Sequence, residues 1–287
     1  MEKHLTIYWK GRVKHCLLNS RIAFLGLLVF VGACAKAPEQ SSIAPNKAPA
    51  AATNLSAEQV LQQMSDKLKG AQQLTFKAAR QLDAALLEEG DLLQNAQIEF
   101  AVDRPNRVKA RSMSGESVRS FYADGKTVVL FDEDMGLYSS VPFAGTIDEM
   151  VARFDEKFGF TPPLAEFILN DPYKKISQQI QTSSNKGIET MNGVECYRIA
   201  ATGELADAEI WVATSDQLPR RLVVTFKHRE GSPQMKADFS DWNLTAKLDD
   251  TNFTFTPPQG AEKIEMLTTE QMNEAEKKSE KTQEKQK

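Results

Sequence analysis

The residues of this chain best suited to covalent chemistry are its three cysteines, and Cys34 has the most informative surroundings. It follows a run of apolar and small residues, 22–33, which is preceded by five basic residues. A basic flank, a short apolar core and small residues before a cleavage site are the parts of an export signal. A membrane-spanning helix needs about 20 apolar residues, so this run is too short to span. We therefore expect residues 1–33 to be a cleaved signal peptide.

The four residues that end this segment, Val31-Gly32-Ala33-Cys34, resemble the lipobox of bacterial lipoproteins. In that family the chain is cut before the cysteine, and its sulfur then carries a diacylglycerol with fatty acyl chains such as palmitate. Two or more acyl chains make a durable anchor, whereas one binds a membrane only marginally. The resemblance implies an exported protein that Cys34 anchors to a bacterial membrane facing the periplasm, and Ala35 favours the outer membrane. An ordinary cleaved signal or a short membrane anchor is the alternative.

The charge of the chain bears on its partners. Removing residues 1–33 takes away five basic residues and one acidic residue, which leaves 30 basic and 38 acidic residues and a net charge of −8. We expect no nucleic-acid partner, because affinity for phosphates depends on a basic face. With Cys16 in the signal and Cys34 acylated, Cys196 has no partner for an intramolecular disulfide.

Few other residues are arranged for chemistry. His228 is the only histidine of the mature chain, and it lies in a charged turn rather than in a metal-binding motif. Asp132-Glu133-Asp134 lacks the glycine and the distal glutamate of a calcium loop, so we interpret it as a solvated turn. Cys196 has the pattern of a buried small apolar residue, and no base accompanies it. We therefore expect no metal, no cofactor and no enzyme activity.

Composition divides the mature chain into three parts. Residues 34–55 are rich in Ala, Pro, Ser and Asn, and we interpret them as the lipidated cysteine followed by a flexible tether. Residues 56–268 have the periodic apolar pattern of one folded domain. Residues 269–287 are rich in Glu, Lys and Gln without an apolar stripe, so we predict a charged disordered tail.

Two capping boxes predict helices within this domain. Ser56 precedes Gln59 by three residues, and an apolar stripe then continues to Gly70. Thr146 precedes Glu149 in the same way, and the stripe there runs to Phe158. Thr161-Pro162-Pro163 predicts the start of a short helix that continues through Leu169.

The remaining apolar residues alternate with polar ones, which is typical of strands. Asp124-Gly125 and Met135-Gly136 predict tight turns between strands over 119–123, 127–131 and 137–141. Further strands are predicted where the alternation or turn residues recur, at 74–78, 98–102, 187–191, 193–201, 208–213, 219–228, 235–242 and 252–255.

Short sequential strands with tight turns predict an antiparallel sheet. A sheet this long must curl, and the two amphipathic helices must cover one face. The predicted fold class is therefore α+β, mainly β: a curled antiparallel sheet, or incomplete β-barrel, with helices covering its concave face. The residues that would line a cavity or form its lid are Phe76, Ile98, Phe100, Val102, Ile147, Met150, Val151, Phe154 and Phe158.

Six short segments, in this order, resemble a family of predicted periplasmic proteins of unknown function over residues 56–264. The resemblance implies a fold similar to the bacterial lipoprotein-localisation factors, a soluble carrier and its outer-membrane receptor, with a lipid-binding cavity under a helical lid. Many members have Cys-His-His where this chain has Cys196-Tyr197-Arg198, so no metal role is implied. The segments are Arg104–Arg107, Tyr122–Lys126, Thr146–Glu149, Glu209–Val212 with Leu218–Arg221, Ser240–Asn243 and Phe253–Pro258.

These observations leave two functions open. The first is an envelope lipoprotein whose half-barrel binds a hydrophobic ligand, a lipid or acyl chain, in lipid or lipoprotein handling. The second is a non-catalytic scaffold or regulatory interaction protein of the cell envelope, which would use the same fold to bind another envelope protein. An enzyme is disfavoured because no acid–base or nucleophile constellation can be assembled.

Overall fold

The computed structural model describes residues 55–87 and 94–274, and the folded domain begins at a helix cap. Ser56 Oγ accepts a hydrogen bond from Gln59 N, and the Gln59 side chain accepts one from Ser56 N, as the first capping box predicts. Helix α1 follows over Ala57–Lys69. The predicted signal peptide, Cys34 and the tether up to residue 54 lie outside the described residues.

Helix α2 spans Ile147–Phe158 and confirms the second capping box. The Thr146 side chain accepts from Glu149 N, and the Glu149 carboxylate accepts from Thr146 N at 2.8 Å. Gly159 ends the helix at a φ of 61°, a left-handed conformation that glycine adopts without steric cost.

The helix predicted from Thr161 to Leu169 is wrong. Only one 3₁₀ turn forms there, at Ala165–Phe167, because Leu164 before it has a left-handed φ of 55° that no α-helix contains. The actual third helix, α3, begins later and spans Pro172–Gln179. Its start has an Asp171 side-chain cap and a proline in the first turn, two features that favour a helix and were overlooked in the sequence.

Twelve strands of the described residues form one sheet. They are β1 (Gln73–Leu82), β2 (Asn95–Asp103), β3 (Arg107–Ser114), β4 (Ser117–Ala123), β5 (Thr127–Asp132), β6 (Leu137–Pro142), β7 (Thr182–Met191), β8 (Val194–Thr202), β9 (Ala206–Ala213), β10 (Pro219–Phe226), β11 (Gln234–Asn243) and β12 (Glu262–Lys263).

The order across the sheet is β12-β6-β5-β4-β3-β2-β1-β11-β10-β9-β8-β7. Neighbouring strands are antiparallel except β12, which pairs parallel with β6. The two end strands, β12 and β7, do not pair with each other, so the sheet is not closed into a barrel. Together with the helices, this arrangement confirms the α+β, mainly β fold class.

Three strand assignments differ from expectation. β3 and β12 were not predicted, because Arg107–Ser114 has no run of large apolar residues and Glu262–Lys263 has two charged ones. The strand predicted over 252–255 is absent, since Asp250–Asn252 is a 3₁₀ turn. Its alternating phenylalanines have another cause: Phe253 lies under Arg107, and Phe255 packs against Tyr122, Phe131 and Tyr138 on the sheet.

One face of the sheet carries the hydrophobic core. The strand register places Phe76, Phe100, Ala110, Phe121 and Leu130 in one line across five strands, and side chains in register share a face. All five are buried in the same cluster as the apolar sides of α1 and α2. The helices therefore cover this face, as the amphipathic stripes predict.

The end of the described chain contains a short helix. Residues 269–274 are helical because Thr268 and Gln271 form another reciprocal cap, with Thr268 N donating to Gln271 Oε1 at 2.8 Å. Thr269 Oγ1 also donates to the carbonyl oxygen of Lys157. Residues 275–287 of the predicted tail lie outside the described part. Among the helices that are described, none is long and apolar enough to cross a membrane.

Candidate functional site

The nine residues predicted to line a cavity or lid lie together in the core. They belong to one buried cluster, and their side chains pack closely against one another. Phe76 stacks on Phe100 with ring centroids 4.4 Å apart, and Phe154 lies 5.0 Å from Phe158. None of the nine is among the residues that line the two cavities described below. Their role as a cavity lining or lid stays a prediction.

A cavity of about 620 Å³ lies elsewhere, between the α3 side of the domain and strands β8 to β11. Its volume falls within the range of about 300–1,000 Å³ that is common for small-molecule sites. The walls are largely aliphatic and aromatic, because one face of each strand contributes every second residue. The apolar lining residues are Leu61, Phe167, Ile176, Ile180, Ile199, Ala201, Leu205, Ala206, Ala208, Ile210, Leu222, Val224, Phe226 and Met235.

The cavity opens where its lining residues are exposed. Gln178, Gln181 and Glu204 are exposed polar lining residues, and Leu205 in the turn between β8 and β9 is 44% exposed. The apolar interior therefore reaches the surface at a rim of mixed polarity.

Gly203 allows the end of α3 to approach this rim closely. A Cβ atom at this position would lie 2.6 Å from the carbonyl oxygen of Gln179 and 2.9 Å from that of Ala206. Both atoms belong to the backbone, so neither can move aside cheaply. Glycine is therefore needed here for the helix end and the β8–β9 turn to meet.

Glu166 places a carboxyl group in the wall of this mainly apolar cavity, and Glu204 is a second one at the rim. Glu166 lies in the 3₁₀ turn Ala165–Phe167, next to Phe167. Protein atoms surround its side chain, which remains partly exposed to solvent. Burial raises the pKa of Glu166 because it penalises the charged form. Within the described residues, only its own backbone N–H and the more distant ammonium of Lys175 act in the opposite direction.

Arg104 holds the turn that carries Glu166. Its guanidinium is buried and donates to the carbonyl oxygens of Ile168 at 2.8 Å and Leu169 at 2.5 Å. A third, longer bond of 3.4 Å reaches the carbonyl of Leu68 at the end of α1. The Ile168 and Leu169 carbonyls follow the 3₁₀ turn, and the Leu68 carbonyl lies at the end of α1. The Arg104 side chain therefore links both segments to the sheet. Burial lowers the pKa of Arg104 to about 10.

Three further contacts join α3 to α1. Lys69 Nζ forms an ion pair with Asp171 at 3.0 Å. Tyr173 N donates to Ser65 Oγ at 2.9 Å, and Tyr173 Oη donates to Glu58 at 3.0 Å. These contacts fix α3 beside the cavity, so its lining depends on α1 as well as on the strands.

A second cavity, of about 430 Å³, lies near the turn between β7 and β8. It is lined by Trp242, whose ring stacks on Phe76 at 4.3 Å, and by the ion pair between Asp216 and Arg220. Its other charged lining residues are paired as well, Asp238 with Arg221 and Asp241 with Lys77. The larger cavity is therefore the better candidate for an apolar ligand.

The other residues considered for chemistry are occupied or inert. Cys196 is buried on the opposite face beside Trp211, and burial raises the pKa of its thiol, which disfavours the reactive thiolate. His228 is exposed, and its Nε2 lies 3.1 Å from the carbonyl oxygen of Glu204.

The carboxylates of the acidic triplet each have a structural partner. Glu133 pairs with Arg111, and Asp134 accepts from Val118 N. Asp132 accepts from Met135 N within the turn and from Arg119 Nε. No group of three or more His, Cys, Asp or Glu in the described part of the chain is arranged to hold a metal ion.

A family model described as predicted periplasmic protein (DUF2092) matches residues 57–267. This match covers almost the whole described domain and confirms the family resemblance that the six sequence segments carry. No curated protein matches the chain.

Several solved structures resemble this chain at low identity. An uncharacterised conserved protein from Thermus thermophilus has 8% identity and a TM-score of 0.45, over 73% of this chain and 98% of that one. The lipoprotein LppX from Mycobacterium tuberculosis has 15% identity and a TM-score of 0.41, over 67% and 98%. A LolA superfamily protein from Nitrosomonas europaea has 11% identity and a TM-score of 0.33, over 70% and 98%. Similarity at this level carries no argument about function.

Proposed function

Because this chain belongs to the DUF2092 family of predicted periplasmic proteins, we propose that it works in the periplasm by binding an apolar ligand, a lipid or a single acyl chain. The observation that carries this proposal is the cavity of about 620 Å³ between α3 and strands β8 to β11. Its walls are mainly aliphatic, and burying each methylene of a ligand contributes about 0.8 kcal/mol. Ligand handling at the envelope would follow from this binding.

The proposal includes the location of the protein in the cell. Acylation of Cys34 would anchor the domain to a membrane facing the periplasm, with the outer membrane favoured by Ala35. The residues between Cys34 and Leu55 would then connect the anchor to α1. A ligand-binding domain held in this way would stay close to the lipids from which its ligand comes.

Filling the cavity tests the binding function. Ala208 lines the cavity on β9, so Ala208→Phe should occupy part of the space that the ligand needs. The protein beginning at residue 35 keeps every described residue and can be purified without an anchor. We expect lipid to co-purify with it, as detected by mass spectrometry, and to be lost from the Ala208→Phe variant.

Ala152→Phe provides the matched control, because Ala152 is exposed on α2 and lines neither cavity. It should retain the co-purified lipid. If the unaltered protein retains no lipid and takes up none from vesicles, the domain has no lipid-binding function.

A second candidate function is favoured by strand β7. This strand forms one edge of the sheet, and most of its residues are exposed on both faces. At the other end of the sheet, the short strand β12 pairs with Leu137 and Tyr138 of β6. An uncovered edge offers backbone hydrogen-bonding groups to an extended segment of another protein. Through β7 the domain would bind an envelope protein as a non-catalytic scaffold or regulator.

Site-specific crosslinking separates this function from lipid binding. A photoreactive residue at Ile188, which is 41% exposed on β7, should crosslink a protein partner in cells. The same residue at Met135, which is 52% exposed in the turn after β5, should not. Equal crosslinking from both positions would remove the support for an edge-strand partner.

A further inference from the structure

The carboxyl group of Glu166 is an unusual component of the large cavity. It lines a space whose other walls are mainly apolar, and no basic side chain in the described part of the chain forms an ion pair with it. A carboxylate placed among apolar groups is costly unless a charge or hydrogen-bond donor accompanies it. Among the described residues Glu166 therefore has no ion-pair partner, and its half-buried side chain remains accessible to a ligand in the cavity.

We propose that Glu166 binds the amino group of an amphiphilic ligand whose apolar chain occupies the same cavity. This inference rests on the proposed lipid-binding function and specifies the class of ligand: a long aliphatic chain that ends in, or carries, a cationic amine. The aliphatic walls would bind the chain, and the carboxylate would select its polar end.

Charge favours a cationic head group over an anionic one. Glu204 adds a second acidic group at the rim, and the mature chain carries a net charge of −8. An anionic head group beside Glu166 would face like charge at low dielectric, which is unfavourable. An alkyl amine resembles the lysine side chain, whose pKa is about 10.4, so it is positively charged at neutral pH.

A cation at this position would also remove the electrostatic cost of the site. The pKa of Glu166 is raised by burial in the unliganded protein, and a nearby positive charge stabilises the ionised form of a carboxyl group. Lys175 lies on α3 and acts on Glu166 from a distance without forming an ion pair. A ligand amine could therefore approach the carboxylate without displacing an existing partner.

Three ligands of equal chain length test the inference. Decylamine, decanol and decanoate are titrated as monomers at pH 7 into the protein beginning at residue 35, and binding is measured by calorimetry. A hydrogen bond to a charged group contributes about 1.5–3 kcal/mol, so decylamine should bind at least about ten-fold more tightly than decanol. Glu166→Gln should abolish this preference and leave the affinity for decanol within about two-fold, which also shows that the variant is folded.

Glu156→Gln is the matched control, because Glu156 is exposed on α2 and lines neither cavity. It removes the same charge and should leave the preference for decylamine unchanged. An equal loss in both variants, or no loss in Glu166→Gln, would overturn the inference. Equal affinity for all three ligands would refute amine selection and leave lipid binding intact, whereas no binding by any ligand would refute both.

Discussion

The Nη1 atom of Arg104 donates a hydrogen bond of 2.8 Å to the carbonyl oxygen of Ile168, 64 residues further along the chain. This contact joins the end of β2 to the segment between the Glu166 turn and α3. Since the same guanidinium also donates to Leu169 and Leu68, Arg104 determines where the helical segments lie relative to the sheet. The cavity and the position of Glu166 in its wall both depend on this placement.

Replacing Arg104 should therefore destabilise the domain strongly. Arg104→Met retains much of the side-chain volume but leaves buried carbonyl oxygens without donors. Hydrogen bonds to charged groups contribute about 1.5–3 kcal/mol, so we expect the free energy of unfolding to fall by about 3 kcal/mol. Urea denaturation followed by circular dichroism measures the change.

Arg153→Met is the comparison for this variant. Arg153 is exposed on α2, and its guanidinium lies 5.9 Å from the ring centre of Phe143. Cation–π contacts at exposed sites contribute about 0.5–1 kcal/mol, so the loss should be smaller. Similar decreases in the free energy of unfolding of the two variants would show that the hydrogen bonds of Arg104 do not stabilise the fold as proposed.

Glu166 should make stability depend on pH. Its folded-state pKa is raised by burial above the value of 4.5 for an unperturbed glutamate, so the folded protein binds its proton more tightly than the unfolded chain. Stability attributable to this group is fully present below pH 4.5 and falls as pH rises from there through the folded-state pKa. Lys175 and Glu204 are the other charged groups that bear on this cavity.

The Glu166→Gln variant should remove this fall in stability. Without ligand, its free energy of unfolding at pH 7 should exceed that of the unaltered protein, and the difference should disappear at pH 4. Denaturant titrations at both pH values measure it, with Glu156→Gln as the control for loss of one acidic charge. A variant that is less stable than the unaltered protein at pH 7 would contradict the burial argument.

Phe154 should matter for stability and not for ligand binding. It is buried in α2 and packs against Phe143 and Phe158, away from the residues that line the large cavity. Phe154→Leu leaves a small void, so we expect the free energy of unfolding to fall by about 1–2 kcal/mol. The affinity for decanol, measured by calorimetry, should stay unchanged.

Leu222→Gln should affect ligand binding, unlike Phe154→Leu, because Leu222 lines the cavity wall on β10. A polar amide there should weaken decanol binding by about ten-fold, since an unpaired polar group in an apolar site is costly. If Phe154→Leu instead weakens binding and Leu222→Gln does not, the ligand occupies the space beneath α2.

Cys34 should carry the membrane anchor. Cells that express the Cys34→Ala variant should incorporate no radiolabelled palmitate into this protein, because the variant lacks the sulfur to which the diacylglycerol would be attached. Fractionation should then find the variant outside the membrane pellet, with the unaltered protein inside it. Unchanged labelling and fractionation of the variant would disprove lipidation at this position.

Local interactions explain which parts of this fold could be predicted. The caps at Ser56 and Thr146 depend on residues three positions away, so their sequence pattern was sufficient. The turn at Asp124-Gly125 and the alternation around Phe76 and Phe100 are equally local. Asp171-Pro172, with its side-chain cap and first-turn proline, is an equally local helix-start signal.

Other elements have no local cause. β12 has two charged residues and forms a strand only because it lies beside β6. Phe253 and Phe255 alternate like strand residues, yet they pack onto the sheet from outside it. In both cases, contacts with residues far away in the sequence determine the conformation. These contacts override the local strand propensity and the alternation of apolar residues.

The sequence by itself determined the predicted export signal, the family, the positions of most strands along the chain and which residues face the core, because these follow from short-range patterns. Only the tertiary structure decided where space remains inside. Apolar periodicity shows which side chains face the interior but not how much space remains between them, so the cavity beside β8–β10 could not be predicted. Glu166 lines the cavity because Arg104, far away in the chain, holds its turn there, and no local pattern records such a contact.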